Sequence, residues 1–424
     1  NKFTRANYGK KIRKLILKNK LVLYNDHTGE KIFEDATVDP CVILIKKTIP
    51  NGLNSVFVNN EFTIPQNRID ENNWSLVPPE KLDLRDKIVN KGNAIKNNSD
   101  LNIYYGIKTG YNKAFIIDEL TKNKLIDEDP KNDELIKPLI VGRDIDKWKI
   151  NYKKRYIVFT RRGIQIDDYP VIKQYLAQFK TNLTPRNKGE KVGRKPGDYK
   201  WYEIQDSVDY FEEFEKEKLI YPVIATRLFA VFDYEGYYLN DKCFMITSES
   251  YNLKFLCALL SSKTLNFVFK LFGSPLGKSG YELRKIYVEK MPIIPATNKQ
   301  QEPIIELVNE ILDLNRILNN EIGDFQEWML NKLHTDKLPK KLQYYFELSV
   351  EQFIKEIRKK DMNLSLESEK ELLIKKYLDS VSTINPLLKE IEEIDSSINK
   401  MVYDLYGLND NEIKIIENSE VSSK

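Results

Sequence analysis

Lys108, Thr109, Tyr111, Asn112 and Lys113 fall within six consecutive residues and carry ammonium, hydroxyl, phenol and carboxamide groups. Such side chains serve recognition of nucleic acid: Lys and Arg bind phosphates or guanine O6 and N7, and Asn pairs with adenine. Arg143 with Asp144 is a second candidate, since an acid can accept from cytosine N4. Further candidates are the Arg161-Arg162-Gly163 turn and the glycine-rich loop that carries Lys188, Lys191, Arg194, Lys195 and Lys200. That loop is expected to be mobile until a partner orders it. Trp201 and Tyr202 after it read as core anchors or as backbone contacts. Arg227 follows a β-rich run and is placed to reach DNA or to pair with a buried acid. Lys278 and Tyr281 sit in Gly273–Tyr281, which resembles a phosphate loop but has three residues, not four, between its first Gly and Gly-Lys-Ser. It reads as a DNA-facing loop instead.

These side chains need a scaffold. Tyr105–Ile117 reads as a strand, a glycine turn and a second strand, with Gly106 and Gly110 supplying turn conformations. Residues 93–296 alternate short strands, helices and turn signals, so an α+β domain is predicted. Residues 1–48 hold an amphipathic helix around Lys10–Lys18 and two strands, Leu21–Tyr24 and Cys41–Ile45, too little to form a domain alone. Residues 49–92 read as a connector rich in Asn and Pro with Trp74 as an anchor, and Val77-Pro78-Pro79-Glu80 as a linker turn. From 297 to 424 the period changes. Ile304, Val308, Ile311, Asn315, Leu318, Ile322 and Phe325 follow a 4-3-4-3-4-3 spacing, as do Leu387, Ile391, Ile394, Ile398, Met401 and Leu405. These are seams of long helices expected to pack antiparallel with a helix near 341–359, Asn315 fixing register. No internal repeat is visible.

Charge is segregated. Of 67 Lys/Arg and 63 Asp/Glu, residues 143–200 hold 16 and 6, a net +10, whereas residues 297–424 hold 17 and 25, a net −8. A basic middle with an acidic end fits a central polyanion-binding surface. Cys41, Cys243 and Cys257 have no paired spacing, which fits a reducing cytoplasm, and no signal peptide or membrane-length apolar run is present. His27 and His334 are isolated, so no metal site is expected, and no Ser or Cys nucleophile has a base partner.

The glycine-turn segment is followed in order by Leu139–Ile145, Lys200–Glu203, Tyr221–Arg227, Leu259–Leu265 and Met291–Pro295. This ordered set resembles the TaqI-like C-terminal specificity (target recognition) domain of type IIG restriction–modification enzymes and adenine-N6 DNA methyltransferases, over roughly residues 93–296. Asn7–Arg13 and Ile32–Pro40 resemble the last segments of the methyltransferase domain of those enzymes, and Asp395–Glu417 their C-terminal end. The chain opens on Asn1 rather than Met, as a fragment would.

The resemblance implies sequence-specific recognition of double-stranded DNA for a parent that methylates adenine N6 with S-adenosylmethionine and cleaves with Mg2+, through N-terminal domains outside these residues. The family's catalytic motif is Asn or Asp, two prolines and an aromatic ring, which hold a flipped adenine. The Pro-Pro here has Val77 in the acceptor position and Glu80 in the ring position. No glycine loop for S-adenosylmethionine appears, and acid-x-Lys triplets such as Asp129-Pro130-Lys131 and Glu412-Ile413-Lys414 are expected by chance in so charged a chain. No cofactor is therefore expected in this chain, and no catalysis by it alone. A stand-alone specificity subunit like those of type I systems, and a helical scaffold with a basic lobe, are the other readings of the same features.

Overall fold

The computed structural model describes residues 2–35, 39–72, 74–276, 280–359 and 367–421. It is an α+β protein in two compact units, Asn1–Thr297 together with Val402–Lys424, and Asn298–Met401. Among the described residues no single helix is long and apolar enough to cross a membrane.

The first unit opens on the helix Lys10–Leu17, which leads into a four-stranded sheet in the order Cys41–Lys46, Lys20–Asp26, Ser55–Val58, Phe62–Pro65. The helix and the first two strands match the sequence expectation. Residues 49–92 are not a mere connector. They supply the other two strands and the helix Pro79–Lys91. Asn59 and Asn60, both at positive φ, turn one strand back on the other, as Asn does more readily than most residues. The Pro-Pro pair is a helix start rather than a linker turn, because the fixed φ of Pro79 suits the first helical residue. Trp74 is buried with Tyr24, Val56, Ile64 and Leu82 in the core between sheet and helix. Ala36, Thr37 and Val38 of the methyltransferase-like segment lie outside the described residues.

Two four-stranded sheets form the middle. One runs Tyr238–Leu239, Ile136–Ile140, Arg155–Val158, Ile116–Asp118; the other runs Val231–Asp233, Lys218–Pro222, Cys243–Thr247, Asn102–Tyr105. The expected strand–turn–strand at 105–117 is therefore not a hairpin. Its first strand pairs with Cys243–Thr247 and its second with Arg155–Val158, in different sheets. Inside the second sheet, Lys218 Nζ lies 2.5 Å from Asp233 Oδ2, with neither side chain exposed. The pair is completed by the Phe214 carbonyl on the lysine and by the backbone N–H groups of Glu235 and Tyr237 on the aspartate. Burial presses the lysine pKa down and the aspartate pKa up, each opposed by its partner.

Helices Leu253–Ser261 and Lys263–Phe272 are apolar nearly all round and buried. They follow one another with a 65° bend. The last helix, Asp410–Val421, docks on the second of them through Lys263–Glu417 at 2.6 Å and Lys270–Glu420 at 2.9 Å. Ile416 is buried, and Tyr406 donates to the carbonyl of Pro292.

The second unit consists of the helices Asn298–Lys332, Lys340–Gln343 and Val350–Arg358 and most of Glu367–Leu405. Leu318 and Phe325 of the first seam pack in one cluster with Leu342, Phe353, Tyr377 and Ile384. Asn315 is buried but donates to Ile311 of its own helix at 2.7 Å, so register is held by the apolar residues around it.

Candidate nucleic-acid interface

Three turns of the first unit meet at one cleft. Strand Asn102–Tyr105 ends at Gly106, whose added Cβ would lie 2.0 Å from the Asn240 carbonyl. Gly106 is thus required for close approach between chains rather than for a turn conformation. The approach is fixed by the Ile107 N–H donating to Leu239 at 2.7 Å and that of Gly106 to Cys243 at 2.9 Å. Gly110, at φ +80°, then reverses the chain into the short helix Asn112–Phe115. The 108–113 segment therefore faces the 240–242 turn, and Gly142–Asp144 packs against Lys242 from the other side. The cleft holds about 540 Å³ and is lined by Asn112, Lys113, Arg143, Arg155, Asn240 and Lys242, with Ile116 and Val141 as apolar walls.

Thr109 orders the first turn. The Tyr111 N–H donates to its hydroxyl at 3.2 Å, and the hydroxyl donates to Asn112 Oδ1 at 2.7 Å. Thr109 is itself buried, so it positions Asn112 rather than meeting a ligand. Tyr111 leans on Phe179. Lys108 is exposed, its N–H donating to Asp206 at 3.1 Å. Arg143 and Lys113 are exposed. Asp144 is buried and turned inward, 2.6 Å from Arg155 Nη1 and accepting from the Val141 N–H. An aspartate so engaged is not available to a cytosine amino group.

The basic loop divides into tip and anchor. Lys188, Lys191, Lys195 and Lys200 are exposed. Arg194 is 3% exposed and lies inside the domain. Its guanidinium donates to five backbone carbonyls, those of Leu183, Thr109, Glu203, Lys200 and Trp201, at 2.6–3.2 Å. It also lies over the rings of Phe115 and Tyr199. Burial lowers its pKa to about 10, which leaves it charged at neutral pH. Arg194 is an internal strut here, not the surface contact its place in a basic run suggests. Nearby, Arg161 covers the Phe211 ring at 4.6 Å, and Arg162 donates to the Gln205 carbonyl at 3.0 Å. Trp201 and Tyr202 are half-buried, with Lys180 and Lys200 over their rings.

The remaining candidates sit elsewhere. Arg227 lies 3.9 Å from Glu420 of the last helix, the acid-pairing alternative. Tyr281 is a strand residue with its ring against Phe269. Lys278 lies outside the described residues. Sequence reading missed Arg155, Asn240 and Lys242. The Asn240-Asp241-Lys242 turn signal is visible between Tyr237–Leu239 and Cys243–Thr247. That it faces residue 107 follows from a bridge between distant segments and from no local pattern.

Among the described residues no three His, Cys, Asp or Glu side chains are grouped to hold a metal ion. At the Pro-Pro segment, Val77 packs against the N-terminal core and Pro79 opens a helix, so this segment presents neither the acceptor nor the ring of the adenine-N6 catalytic motif.

Residues 137–293 match the family model of the TaqI-like C-terminal specificity domain. Residues 297–402 match a domain of unknown function, DUF8810. The chain is related to the type II methyltransferase M.BstVI of Geobacillus stearothermophilus, with 23% identity over 347 residues, 72% of this chain and 59% of that protein. Two solved structures are also similar. The type IIL restriction–modification enzyme MmeI in complex with DNA matches at 14% identity and TM-score 0.48, over 95% of this chain and 49% of that one. The type IIG restriction endonuclease BpuSI matches at 12% identity and TM-score 0.37, over 96% and 46%. The chain thus spans about three-fifths of the curated relative and about half of each solved enzyme. The resemblance read from the sequence, to the specificity portion of restriction–modification methyltransferases, stands.

Proposed function

We propose that this chain reads double-stranded DNA for a type IIG restriction–modification enzyme. It clamps the duplex and sets register, so that a methyltransferase domain outside these residues receives the target adenine and methylates its N6. In this reading a nuclease domain of the same cytoplasmic parent cleaves, and S-adenosylmethionine and Mg2+ serve those other domains. The observation that carries it is the convergence of Asn112, Lys113 and Arg143, from two separate segments, on one cleft of the specificity domain. The net +10 window at 143–200 supports it. So does the edge strand Cys41–Lys46, where Val42, Leu44 and Ile45 stand exposed as on a surface that a neighbouring domain covers.

The first test is salt dependence. Duplex binding by the 424-residue chain is expected to weaken steeply with salt, with log K against log[salt] falling by about 0.9 per neutralised phosphate. Lys188→Ala is expected to weaken all sequences alike and to flatten the slope by about one. A slope near zero would remove the polyanion reading and favour a helical scaffold.

The second test concerns the methyl donor. Titration calorimetry of the chain with S-adenosylmethionine is expected to show no stoichiometric site, because the sequence has no glycine loop for the donor and the Pro-Pro segment lacks the motif that would hold the target adenine beside it. A micromolar site would move part of the methyltransferase into these residues.

A further inference from the structure

Resting on that reading, we infer that the cleft between residues 112–113, 142–143 and 240–242 reads a guanine in the recognition sequence.

The available side-chain chemistry of the cleft is that of donors. Lys113 and Arg143 are exposed to it with no ion-pair partner among the described residues. Lys242 reaches it with its Nζ 2.9 Å from its neighbour Asp241. Asn112 has an oxygen that already accepts from the Thr109 hydroxyl, so its NH2 group is the part left to bond a ligand. Potential acceptors are withdrawn. Asp144 faces Arg155 and the Val141 N–H. Asn240 Oδ1 takes the Lys242 N–H at 3.1 Å. Asp241, the ion-pair partner of Lys242, does not line the cleft.

A donor-only surface cannot accept from the amino groups of cytosine N4 or adenine N6. It matches an edge that only accepts, and in the major groove of DNA the base with two adjacent acceptors is guanine, through O6 and N7. Phosphate oxygens share this chemistry. Two observations favour the base. The exposed lysines of the 186–200 loop are free to serve phosphates outside the cleft, whereas the cleft is walled by Ile116 and Val141. Apolar walls suit the flat, weakly hydrated edge of a base better than a phosphate. The donors also hang from turns held by Ile107–Leu239 pairing and by the Asp144–Arg155 bridge, and such fixed geometry is what discrimination among bases requires.

The test uses the whole chain. Selection from randomised duplexes defines the preferred site, and each guanine in it is then replaced by 7-deazaguanine, which lacks only the N7 acceptor. One position is expected to lose roughly ten- to a hundred-fold in affinity with the wild-type chain. With Arg143→Ala that position is expected to become indifferent both to 7-deazaguanine and to base identity, other positions staying selective. Lys242→Ala provides a second variant at the opposite wall and is expected to relax the same position. A selected site at which no guanine responds to 7-deazaguanine would overturn the inference while leaving sequence reading intact. So would equal weakening of all sequences by Arg143→Ala, which marks a phosphate clamp. Absence of any sequence preference would overturn the proposed function, and this inference with it.

Discussion

Replacing Arg194 with alanine is expected to destabilise the specificity domain by roughly 4 kcal/mol, at the high end for a single substitution. The guanidinium serves five carbonyls that have little access to water, and a charge-assisted hydrogen bond contributes about 1.5–3 kcal/mol, not additively. Removing the side chain also empties the space between Phe115 and Tyr199. Arg194→Lys keeps the charge but offers no planar fork, so it is expected to fall between wild type and alanine. Denaturant unfolding checks this through its midpoint. The surface reading of Arg194 gives the opposite pattern, with unchanged stability and weaker DNA binding. Because Thr109 is one of the five acceptors, loss of the strut should also loosen the turn that carries Asn112 and Lys113.

Asp233→Ala is expected to cost about 3–5 kcal/mol, because it leaves the fully buried Lys218 amine without its counter-charge, to be held charged or neutralised at a cost. The aspartate also holds the N–H groups of Glu235 and Tyr237, so the turn before Tyr238 loses its anchor. Replacing both members, as Lys218→Met with Asp233→Asn, removes the buried charges together and is expected to cost less than Asp233→Ala alone. A double-mutant cycle measures the difference. If the double variant proved as unstable as the sum of the two single ones, the pair would contribute through independent hydrogen bonds and not as an ion pair.

Local elements were legible where the signal was local. The helix Lys10–Leu17 and the apolar seam through Ile311, Leu318 and Phe325 follow from periodicity, since each buries one face at a regular spacing, and the strands around Leu21 and Val42 follow from their β-rich composition. The hairpin expected at 105–117 failed because the real partner of Tyr105 is Phe244, far along the chain, and local pattern carries no information on such pairing. The strands in 49–92 had a signal in Asn59-Asn60 between apolar runs, which the abundance of Asn nearby obscured. At the candidate site, the turn residues Asn112, Lys113 and Arg143 were picked out by type and spacing, and all three line the cleft. Arg194 and Asp144 were drawn with them because residue type does not reveal orientation: an arginine in a basic run reads alike whether it faces water or five carbonyls.

The helices of Asn298–Met401 interrupt the first unit, whose closing segment is Val402–Lys424. During synthesis this has a cost in time. A ribosome adding about 5–20 residues per second needs roughly 6–25 seconds more to deliver the last helix after Thr297 has emerged. Over that interval Lys263, Lys270 and Arg227 lack the glutamates they later meet, and the buried site of Ile416 stands open on a nascent chain. The first unit is thus completed only after the whole helical insertion has been made. A premature stop anywhere in the helical insertion would release a polypeptide that carries the whole candidate cleft but not the segment that closes its scaffold.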